Sequence, residues 1–425
     1  MTATALAARG MTFALRFAPK LAGAAISFLF LIVVARTTNV HTYGEAAIII
    51  TIAGFASLFG SLGQRFVVLR RVPALFGTDR DAAASVAAFS SRIAIVGAAT
   101  VAVVVTVPIY LIHTGATAGF GLGALALCGA LIFVQGALEY YSQLLRALGK
   151  GDLSVYIREV VPRVIAILAL GMLAIAANGL VALTTVIAVL SVGTVLSLLA
   201  AAFIARRRLG SRDRARAPAA VQFQEGVTFL PRLAAATARE YMDVLILSLV
   251  APPAVIAIYF TLVRFSALLV LPGTSLATNV VVEATRLHSL GERGQAIAAA
   301  RQLFVQSAAV VVPVAALLWL FSPELLRLFS ISTEGYELAI FFVFLNGALN
   351  GSFIGLWELM QCLDIGRYFH RVFGIIVGAG AIGLYFAGSL GGVTGLAAAY
   401  LVTNAIWIGF GLFELFRRSE GQNGS

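Results

Sequence analysis

Four charged residues stand within a single apolar segment of this sequence, at 227–250. Arg232, Arg239 and Asp243 are spaced seven and four residues apart, which places them on one face of a helix at about 100° per residue. Glu240 adjoins that face. A charge at the centre of a bilayer costs about 2.5–3.5 kcal/mol on insertion scales. We therefore expect this face to border water or protein rather than lipid.

The next apolar segment adds Arg264, so three arginines stand against the two nearby carboxylates. The net positive charge favours an anionic ligand over a cationic one. The alternative is an internal network of ion pairs, in which Arg239 and Asp243 pair at a spacing of four residues. The sequence leaves both interpretations open.

Polar residues also follow one face of two other apolar segments. One of these stripes consists of Gln135, Glu139, Ser142 and Arg146. Glu139 could pair with Arg163 of the following segment, or it could bind and release a proton during a transport cycle. The other stripe consists of Asn346, Asn350, Trp357 and Gln361, with Glu358 alongside. Such stripes either bind a ligand or join neighbouring helices by hydrogen bonds.

The apolar segments that carry these residues account for most of the chain. Of the 425 residues, 60% are hydrophobic and 12% are charged, and the mean hydropathy is +0.97. Lipid can solvate this much apolar surface, whereas a soluble domain could not bury it. The apolar runs are continuous rather than alternating, which predicts helices and not a β-barrel. We place about twelve spans near 17–35, 43–62, 92–112, 120–142, 158–177, 180–204, 227–250, 254–277, 300–321, 336–362, 371–388 and 393–416.

The cations that produce the net charge of +11 alternate between the gaps separating the spans. The gaps on one side hold Arg65, Arg70, Arg71, Arg80, Arg146, Lys150, six arginines from Arg206 to Arg216, Arg286, Arg293, Arg301, Arg367 and Arg371, with Arg417 and Arg418 at the tail. The opposite gaps hold Arg36 and Arg327. This asymmetry follows the positive-inside rule and places both termini in the cytoplasm. Nucleic acid is therefore not expected as a partner, and the central arginines are expected to contact anionic lipid headgroups.

A short motif near the start of the chain recurs in its second half. Phe17-Ala18-Pro19-Lys20-Leu21-Ala22 reappears as Phe229-Leu230-Pro231-Arg232-Leu233-Ala234. The repeat predicts two related six-helix lobes, 1–205 and 226–425, joined by a basic cytoplasmic linker at 206–225. Six spans in each half make the repeats parallel. Duplicated membrane halves of this kind are typical of transporters whose site lies between them.

Patterns that would indicate an enzyme or a metal site do not emerge from the sequence. The two cysteines, Cys128 and Cys362, stand within apolar segments and fit core positions. The stretch 378–383 matches a dinucleotide fingerprint, but it lies inside an apolar span and fits close helix packing instead. We expect no catalytic residues, no metal and no cofactor other than a coupling ion.

Three short stretches resemble the Wzx-type polysaccharide transporters, flippases for lipid-linked oligosaccharides within the multidrug/oligosaccharidyl-lipid/polysaccharide (MOP) exporter superfamily. The matching residues are Ala35-Arg36 followed by Tyr43-Gly44-Glu45, then Asp243 followed by Tyr259 and Arg264, and finally Ser322 to Phe329. The resemblance extends over the whole chain. One departure is local, because Val40-His41-Thr42 replaces the usual Gly-Pro before the tyrosine.

The resemblance implies a two-lobed, all-α bundle that alternates between inward-open and outward-open states. Its implied substrates are undecaprenyl-pyrophosphate-linked oligosaccharides, moved across the bacterial cytoplasmic (inner) membrane for O-antigen, capsule or exopolysaccharide synthesis. Arginines can form bidentate hydrogen bonds with a pyrophosphate. On this basis the headgroup is assigned to Arg232, Arg239, Arg264 and Lys20, the sugars to Asn346, Asn350 and Trp357, and coupling to protons or sodium ions to Asp243 or Glu139.

The same resemblance implies partners in the membrane, namely the lipid-linked oligosaccharide, membrane lipids, a polysaccharide polymerase and the chain-length machinery. Two other transport functions stay open. A multidrug or cation antiporter of the MATE type would share the fold but would more typically have an acidic cavity. A flippase for peptidoglycan lipid precursors would share the cationic cavity but usually has two more helices. A scaffold without transport activity is disfavoured by the buried charges.

Overall fold

The computed structural model describes residues 21–113, 121–177, 180–210, 219–289, 292–362 and 366–420. These residues are almost entirely α-helical, and none of them forms a β-strand. The all-α polytopic membrane fold predicted from the sequence is confirmed. Helices suit this composition because every backbone N–H and C=O is satisfied within the segment, as hydrocarbon requires.

The chain forms two compact units, of which the first extends to Thr237. Its helices begin with α1 (Leu21–Thr37) and α2 (Val40–Gly60). They continue with α3 (Gln64–Phe76), α4 (Arg80–His113), α5 (Leu122–Ala147), α6 (Gly151–Val155), a π-helical turn (Tyr156–Val160), α7 (Val161–Ala177), α8 (Leu183–Leu209) and α9 (Ala219–Thr228). The helix α10 (Leu230–Val250) begins in this unit.

The second unit begins at Ala238, within α10. The helices that follow are α11 (Pro253–Ala267), α12 (Val270–Ser289), α13 (Arg293–Leu320), α14 (Ser322–Arg327), α15 (Glu337–Cys362) and α16 (Gly366–Glu420). Gly392 interrupts α16 with φ 58° and ψ −145°, a conformation that an L-residue rarely adopts. The predicted lobes at 1–205 and 226–425, with their linker at 206–225, stay a prediction.

Each predicted span overlaps one or more of these helices. In the described part of the chain, nine helices are long and apolar enough to cross a membrane. The last of these, Val372–Phe413, covers two predicted spans on either side of Gly392. The shorter apolar helix α1 covers another. The helix α10 covers the remaining one, and its four charged residues set it apart from ordinary spans.

Small residues let the helices approach closely in both units. A Cβ added to Gly60 of α2 would lie 3.2 Å from the Cα of Ala98 in α4 and 3.3 Å from the Cα of Gly136 in α5. In the second unit, Gly351 of α15 packs against the backbone of Leu269, just before α12. Such close packing is the main source of helix association in lipid. It fixes the position of α15, which carries the predicted stripe of asparagines.

The π-helical turn has a local cause in the sequence. Pro162 lacks an N–H group and would clash with the carbonyl of residue 158 in a regular α-helix. The chain widens before it instead, and the N–H of Val161 bonds to the carbonyl of Tyr156, five residues back. The widened turn carries Arg158 and Glu159, and π-helical turns are frequent at functional sites.

Candidate functional site

The guanidinium of Arg239 lies at the centre of a polar cluster in the second unit. Its Nη1 donates a hydrogen bond of 2.7 Å to Oδ1 of Asn350 in α15. The guanidinium carbon stands 4.5 Å from the ring centroid of Trp407 in α16, within the range of a cation–π contact. The hydroxyl of Tyr400, also in α16, donates to the backbone carbonyl of Arg239. Two neighbouring helices, α15 and α16, therefore contact this side chain, and α16 also binds its backbone.

A chain of amides extends from Arg239 across the same helices. Nδ2 of Asn404 in α16 donates to Oδ1 of Asn346 at 2.8 Å, and Nδ2 of Asn350 donates to the same oxygen at 3.5 Å. Asn404 and Asn346 are both buried. Because the amide nitrogen of Asn350 donates to Asn346, its oxygen is the atom that faces Arg239.

Asp243 lies one helical turn beyond Arg239 and is fully buried. Its Oδ2 accepts a 3.0 Å hydrogen bond from the hydroxyl of Tyr259 in α11. Its Oδ1 accepts from the N–H of Val244 at 2.8 Å. A mid-helix carboxylate that bonds to the backbone of its own helix competes with the regular hydrogen-bond ladder.

Arg264 in α11 is half-buried. Its guanidinium carbon lies 4.7 Å from the ring centroid of Phe260, one turn earlier in the same helix. Within the described ranges, no Asp or Glu carboxylate forms an ion pair with either Arg239 or Arg264. The possible Arg239–Asp243 ion pair is therefore not formed. The contacts of the Arg239 guanidinium are with neutral groups, and Glu240, the other described carboxylate of α10, is exposed.

The structure thus brings together two predicted stripes, Arg239 with Asp243 on α10 and Asn346 with Asn350 on α15. It adds three residues that sequence analysis missed, Tyr400, Asn404 and Trp407 of α16. Their spacings of four and three residues place them on one face of α16. This spacing is the feature of the sequence from which they could have been predicted.

Three other predicted residues cannot be placed in this cluster. Lys20 lies outside the described residues, and the side chains of Arg232 and Trp357 lie outside them too, although their backbones belong to α10 and α15. The roles assigned to these three residues stay predictions.

A second buried cluster surrounds Glu139 of α5 in the first unit. One carboxylate oxygen lies 2.9 Å from Nη1 of Arg65 in α3, and the other lies 2.9 Å from Nη1 of Arg158 in the π-helical turn. Gln143 donates to the first oxygen at 3.0 Å. Glu139 therefore pairs with two arginines that do not include Arg163.

The network continues along the π-helical turn. Glu159 pairs with Nε of Arg158 at 2.8 Å and with Nη1 of Arg163 at 2.6 Å. The pair of Glu159 with Arg163 has the spacing of four residues that favours such contacts on a helix. Three arginines and two glutamates thus join α3, α5 and α7 through neutralising contacts, an arrangement suited to holding helices in place.

Glu139→Gln is expected to lower the stability of the protein by about 3 kcal/mol, because it removes the shared anion from two largely buried guanidiniums. The expected readout is a lower melting temperature in detergent micelles, followed by the loss of the monodisperse chromatographic peak. Glu45→Gln is the matched control, since the ion-pair partner of Glu45 among the described residues is an exposed His41 at 3.7 Å and such pairs contribute about 0–1 kcal/mol. Equal melting temperatures for the two variants would contradict the structural role of Glu139.

In the described segments, no group of three or more His, Cys, Asp or Glu side chains is placed to hold a metal ion. The polar clusters consist instead of guanidiniums, amides, phenols and single carboxylates. Such groups bind anions and hydroxyl-rich molecules by hydrogen bonds.

Comparison with known proteins places the chain in a family. The model of a family described as polysaccharide biosynthesis protein matches residues 14–282. This match covers more than half of the chain, and the protein therefore belongs to that family. No curated protein matches the chain significantly.

Solved structures of transporters share the fold. A multidrug resistance MATE family transporter of the MOP superfamily, in an inward-facing conformation, is 14% identical, with 94% of this chain and 96% of that chain covered and a TM-score of 0.64. The lipid II flippase MurJ, in an inward closed conformation, is 12% identical, with coverage of 95% and 87% and a TM-score of 0.68. A MOP superfamily transporter from Pyrococcus furiosus is 15% identical, with coverage of 95% and 94% and a TM-score of 0.58. The predicted resemblance to MOP-type polysaccharide transporters is confirmed.

Proposed function

We propose that this protein is a flippase that moves undecaprenyl-pyrophosphate-linked oligosaccharides across the bacterial cytoplasmic membrane by alternating access. The family match supports a role in polysaccharide biosynthesis. The observation that carries the substrate class is the position of Arg239, a cation held by neutral partners in the middle of α10, which coincides with a predicted span.

The energetics of Arg239 favour an anionic ligand. A charged side chain at this depth is costly unless it faces a partner or a water-filled cavity. Arg239 and Arg264 keep part of their surface accessible, and that surface cannot economically face lipid. A pyrophosphate bears at least two negative charges and could not cross hydrocarbon without compensation. Two guanidiniums in a low-dielectric site would supply bidentate, charge-assisted hydrogen bonds to it.

The surrounding polar and aromatic groups suit a sugar attached to that headgroup. Asn346, Asn350 and Asn404 offer amide donors and acceptors for hydroxyl groups. Trp407 presents a large aromatic surface beside Arg239. In this proposal Lys20 and Arg232 assist with the headgroup, and Trp357 assists with the sugars.

A multidrug or cation antiporter is less well supported by the same geometry. Asp243 is fully buried and accepts hydrogen bonds from Tyr259 and Val244. The accessible charges on the same two helices are the half-buried Arg239 and Arg264 and the exposed Glu240. A cationic drug would meet repulsion in this cluster. A flippase for peptidoglycan lipid precursors would meet the same favourable charge, because those precursors also carry a pyrophosphate.

Ion coupling belongs to the proposal as well. Asp243 has a neutral phenol partner and no bonded guanidinium among the described residues, so a proton or a sodium ion can compensate its charge. Glu139, the other predicted carboxylate, already has two arginine partners. We assign coupling to Asp243 and a structural role to Glu139. The arginine asymmetry supports cytoplasmic termini and transport from the cytoplasmic leaflet to the outer one.

Reconstitution into vesicles tests this function directly. A fluorescent undecaprenyl-pyrophosphate oligosaccharide placed in one leaflet should appear in the other much faster with the protein than in protein-free vesicles. A peptidoglycan lipid precursor and a cationic dye serve as competing substrates. Translocation of the dye without translocation of the glycolipid would replace the proposal with an antiporter. Translocation of the peptidoglycan precursor alone would replace it with the other flippase.

A further inference from the structure

The short helix α9 packs against α3 and α4 within the first unit. The ring of Phe229, which follows α9, stacks on Phe66 of α3 with centroids 5.0 Å apart. Nε2 of Gln64 donates to the backbone carbonyl of Gln222 at 3.2 Å. Phe229 is also the single residue between α9 and α10, so this contact holds the start of the helix that carries Arg239.

An ion-pair cluster adds to the docking of α9. The carboxylate of Glu225 lies 2.6 Å from Nη2 of Arg71 and 3.5 Å from Nη1 of Arg70, both in α3. The side chain of Glu225 is 15% exposed, Arg71 is 33% exposed and Arg70 is 75% exposed. The contact with Arg71 is shorter and better shielded from solvent, but it is an ion pair without hydrogen-bond geometry, whereas Nη1 of the exposed Arg70 donates a hydrogen bond to Oε1 of Glu225.

Two glycines allow the backbones to meet at this point. Gly63, at the start of α3, has φ 75° and faces the backbone of Gly226 in α9. A Cβ on either glycine would overlap the opposite segment, where one on Gly226 would lie 2.8 Å from the carbonyl oxygen of Leu62. The docked position of α9 is therefore specific rather than a loose contact.

The same interface leaves several buried polar atoms without a protein partner in the described part of the chain. They are Oγ of Ser61, Oε1 of Gln64, and both Oε1 and Nε2 of Gln222. These three residues are fully buried. Burying such a group without a hydrogen bond costs about 1–3 kcal/mol. When α9 undocks, water can hydrogen-bond to the amide of Gln222. This gain offsets part of the free energy that is lost when the docking contacts break.

We propose that α9 is a releasable latch, docked on α3 by Glu225 and Phe229, and that its release frees the beginning of α10. Specific contacts hold the docked state, while the unsatisfied amides keep it close in free energy to the released state. Movement of α9 is transmitted to α10 because a single residue joins the two helices. This inference concerns a conformational change and does not depend on which substrate is carried.

Thiol labelling of the purified protein tests the latch without any substrate. One probe is Gln222→Cys in α9 and the other is Thr237→Cys in α10, each buried in the docked state and each made in a Cys362→Ser background. Because Gln222→Cys itself removes the unsatisfied amide and favours docking, Thr237→Cys, made with Gln222 intact, is the primary probe. Native Cys128, buried in α5, is the internal reference for general loosening. When reclosing is fast, the rate of maleimide labelling follows the population of the released state.

Glu225→Gln should accelerate labelling at both positions 222 and 237 about fivefold. This is the change expected when the docked state loses about 1 kcal/mol of free energy relative to the released state. Arg71→Gln should act similarly, whereas Arg70→Gln should have a smaller effect because of its exposure. The exchanged pair Arg71→Glu with Glu225→Arg should return the rates toward wild type. Cys128 should stay equally slow in every variant.

Three results would overturn the latch. Labelling at position 222 that is as slow as that of Cys128 in all variants would show a static contact. Faster labelling at position 222 with no change at position 237 would show that α9 frays without moving α10. If the labelling of Cys128 accelerated together with that of positions 222 and 237, the cause would be partial unfolding of the first unit, which would also refute the latch.

Discussion

Arg239→Ala is expected to abolish the assembly of surface polysaccharide in cells that depend on this protein. The substitution removes the guanidinium that Asn350 of α15 and Trp407 of α16 contact. A hydrogen bond to a charged group contributes up to about 3 kcal/mol, which corresponds to roughly a hundredfold loss in affinity for an anionic headgroup. Arg239→Lys should restore only part of the activity, because a point charge cannot reproduce the bidentate fork.

Arg301→Ala is the matched control for this prediction. Arg301 is an exposed arginine of α13, so its loss removes the same charge without touching the cluster. Both variants should accumulate in the membrane at the wild-type level. Normal polysaccharide in the Arg239→Ala strain would show that the cluster is structural and that the headgroup binds elsewhere.

Asp243→Asn is expected to uncouple transport from imposed ion gradients. Asparagine keeps the size of the side chain and can still accept a hydrogen bond from Tyr259, but it cannot carry a negative charge. Vesicles containing wild-type protein should respond to a proton or a sodium gradient, and vesicles containing the variant should translocate at one rate regardless of gradient. The measurement is the initial rate of glycolipid translocation with each gradient imposed in either direction.

Glu139→Gln is the contrasting variant. It is expected to lower the stability of the protein, but the fraction that stays folded should still respond to the ion gradients. Tyr259→Phe removes the phenol that donates to Asp243, and it should shift the ion dependence without eliminating it. A wild-type gradient response in the Asp243→Asn variant would refute the assignment of coupling to this residue.

The helical faces that carry the cluster were predictable from the sequence. The spacing of Arg239 and Asp243, and that of Asn346 and Asn350, each indicate one face of a helix because a helix turns by about 100° per residue. The sequence cannot tell which faces meet, since lipid-exposed and buried helices are similarly apolar. The close approach at Gly351 that sets α15 in place is a property of the packed structure.

The part played by α16 shows the same limit. Trp407, Asn404 and Tyr400 share one face, but the surrounding residues are so apolar that three polar or aromatic side chains give a weak signal. Their contacts with Arg239 and Asn346 span more than fifty residues of sequence. Only the tertiary structure identifies them as the third wall of the cluster.

The partners of Glu139 differ from the predicted one for two local reasons. The π-helical turn before Pro162 shifts the register, so that Arg158 rather than Arg163 faces Glu139. The break at Gly63 turns α3 so that Arg65 meets the same carboxylate. A regular helix through the π-helical turn would misplace Arg158, and one that continued without the break at Gly63 would misplace Arg65.

The most direct test of the central claim is a binding titration with purified protein. The cationic cluster should bind undecaprenyl pyrophosphate about tenfold more tightly than undecaprenyl monophosphate, since one more charge-assisted contact contributes about 1.4 kcal/mol. Arg239→Ala should remove this preference, and Arg301→Ala should preserve it. Equal affinities for the two lipids in the wild-type protein, or tight binding of a cationic dye in their place, would contradict the proposal that this cluster recognises a pyrophosphate.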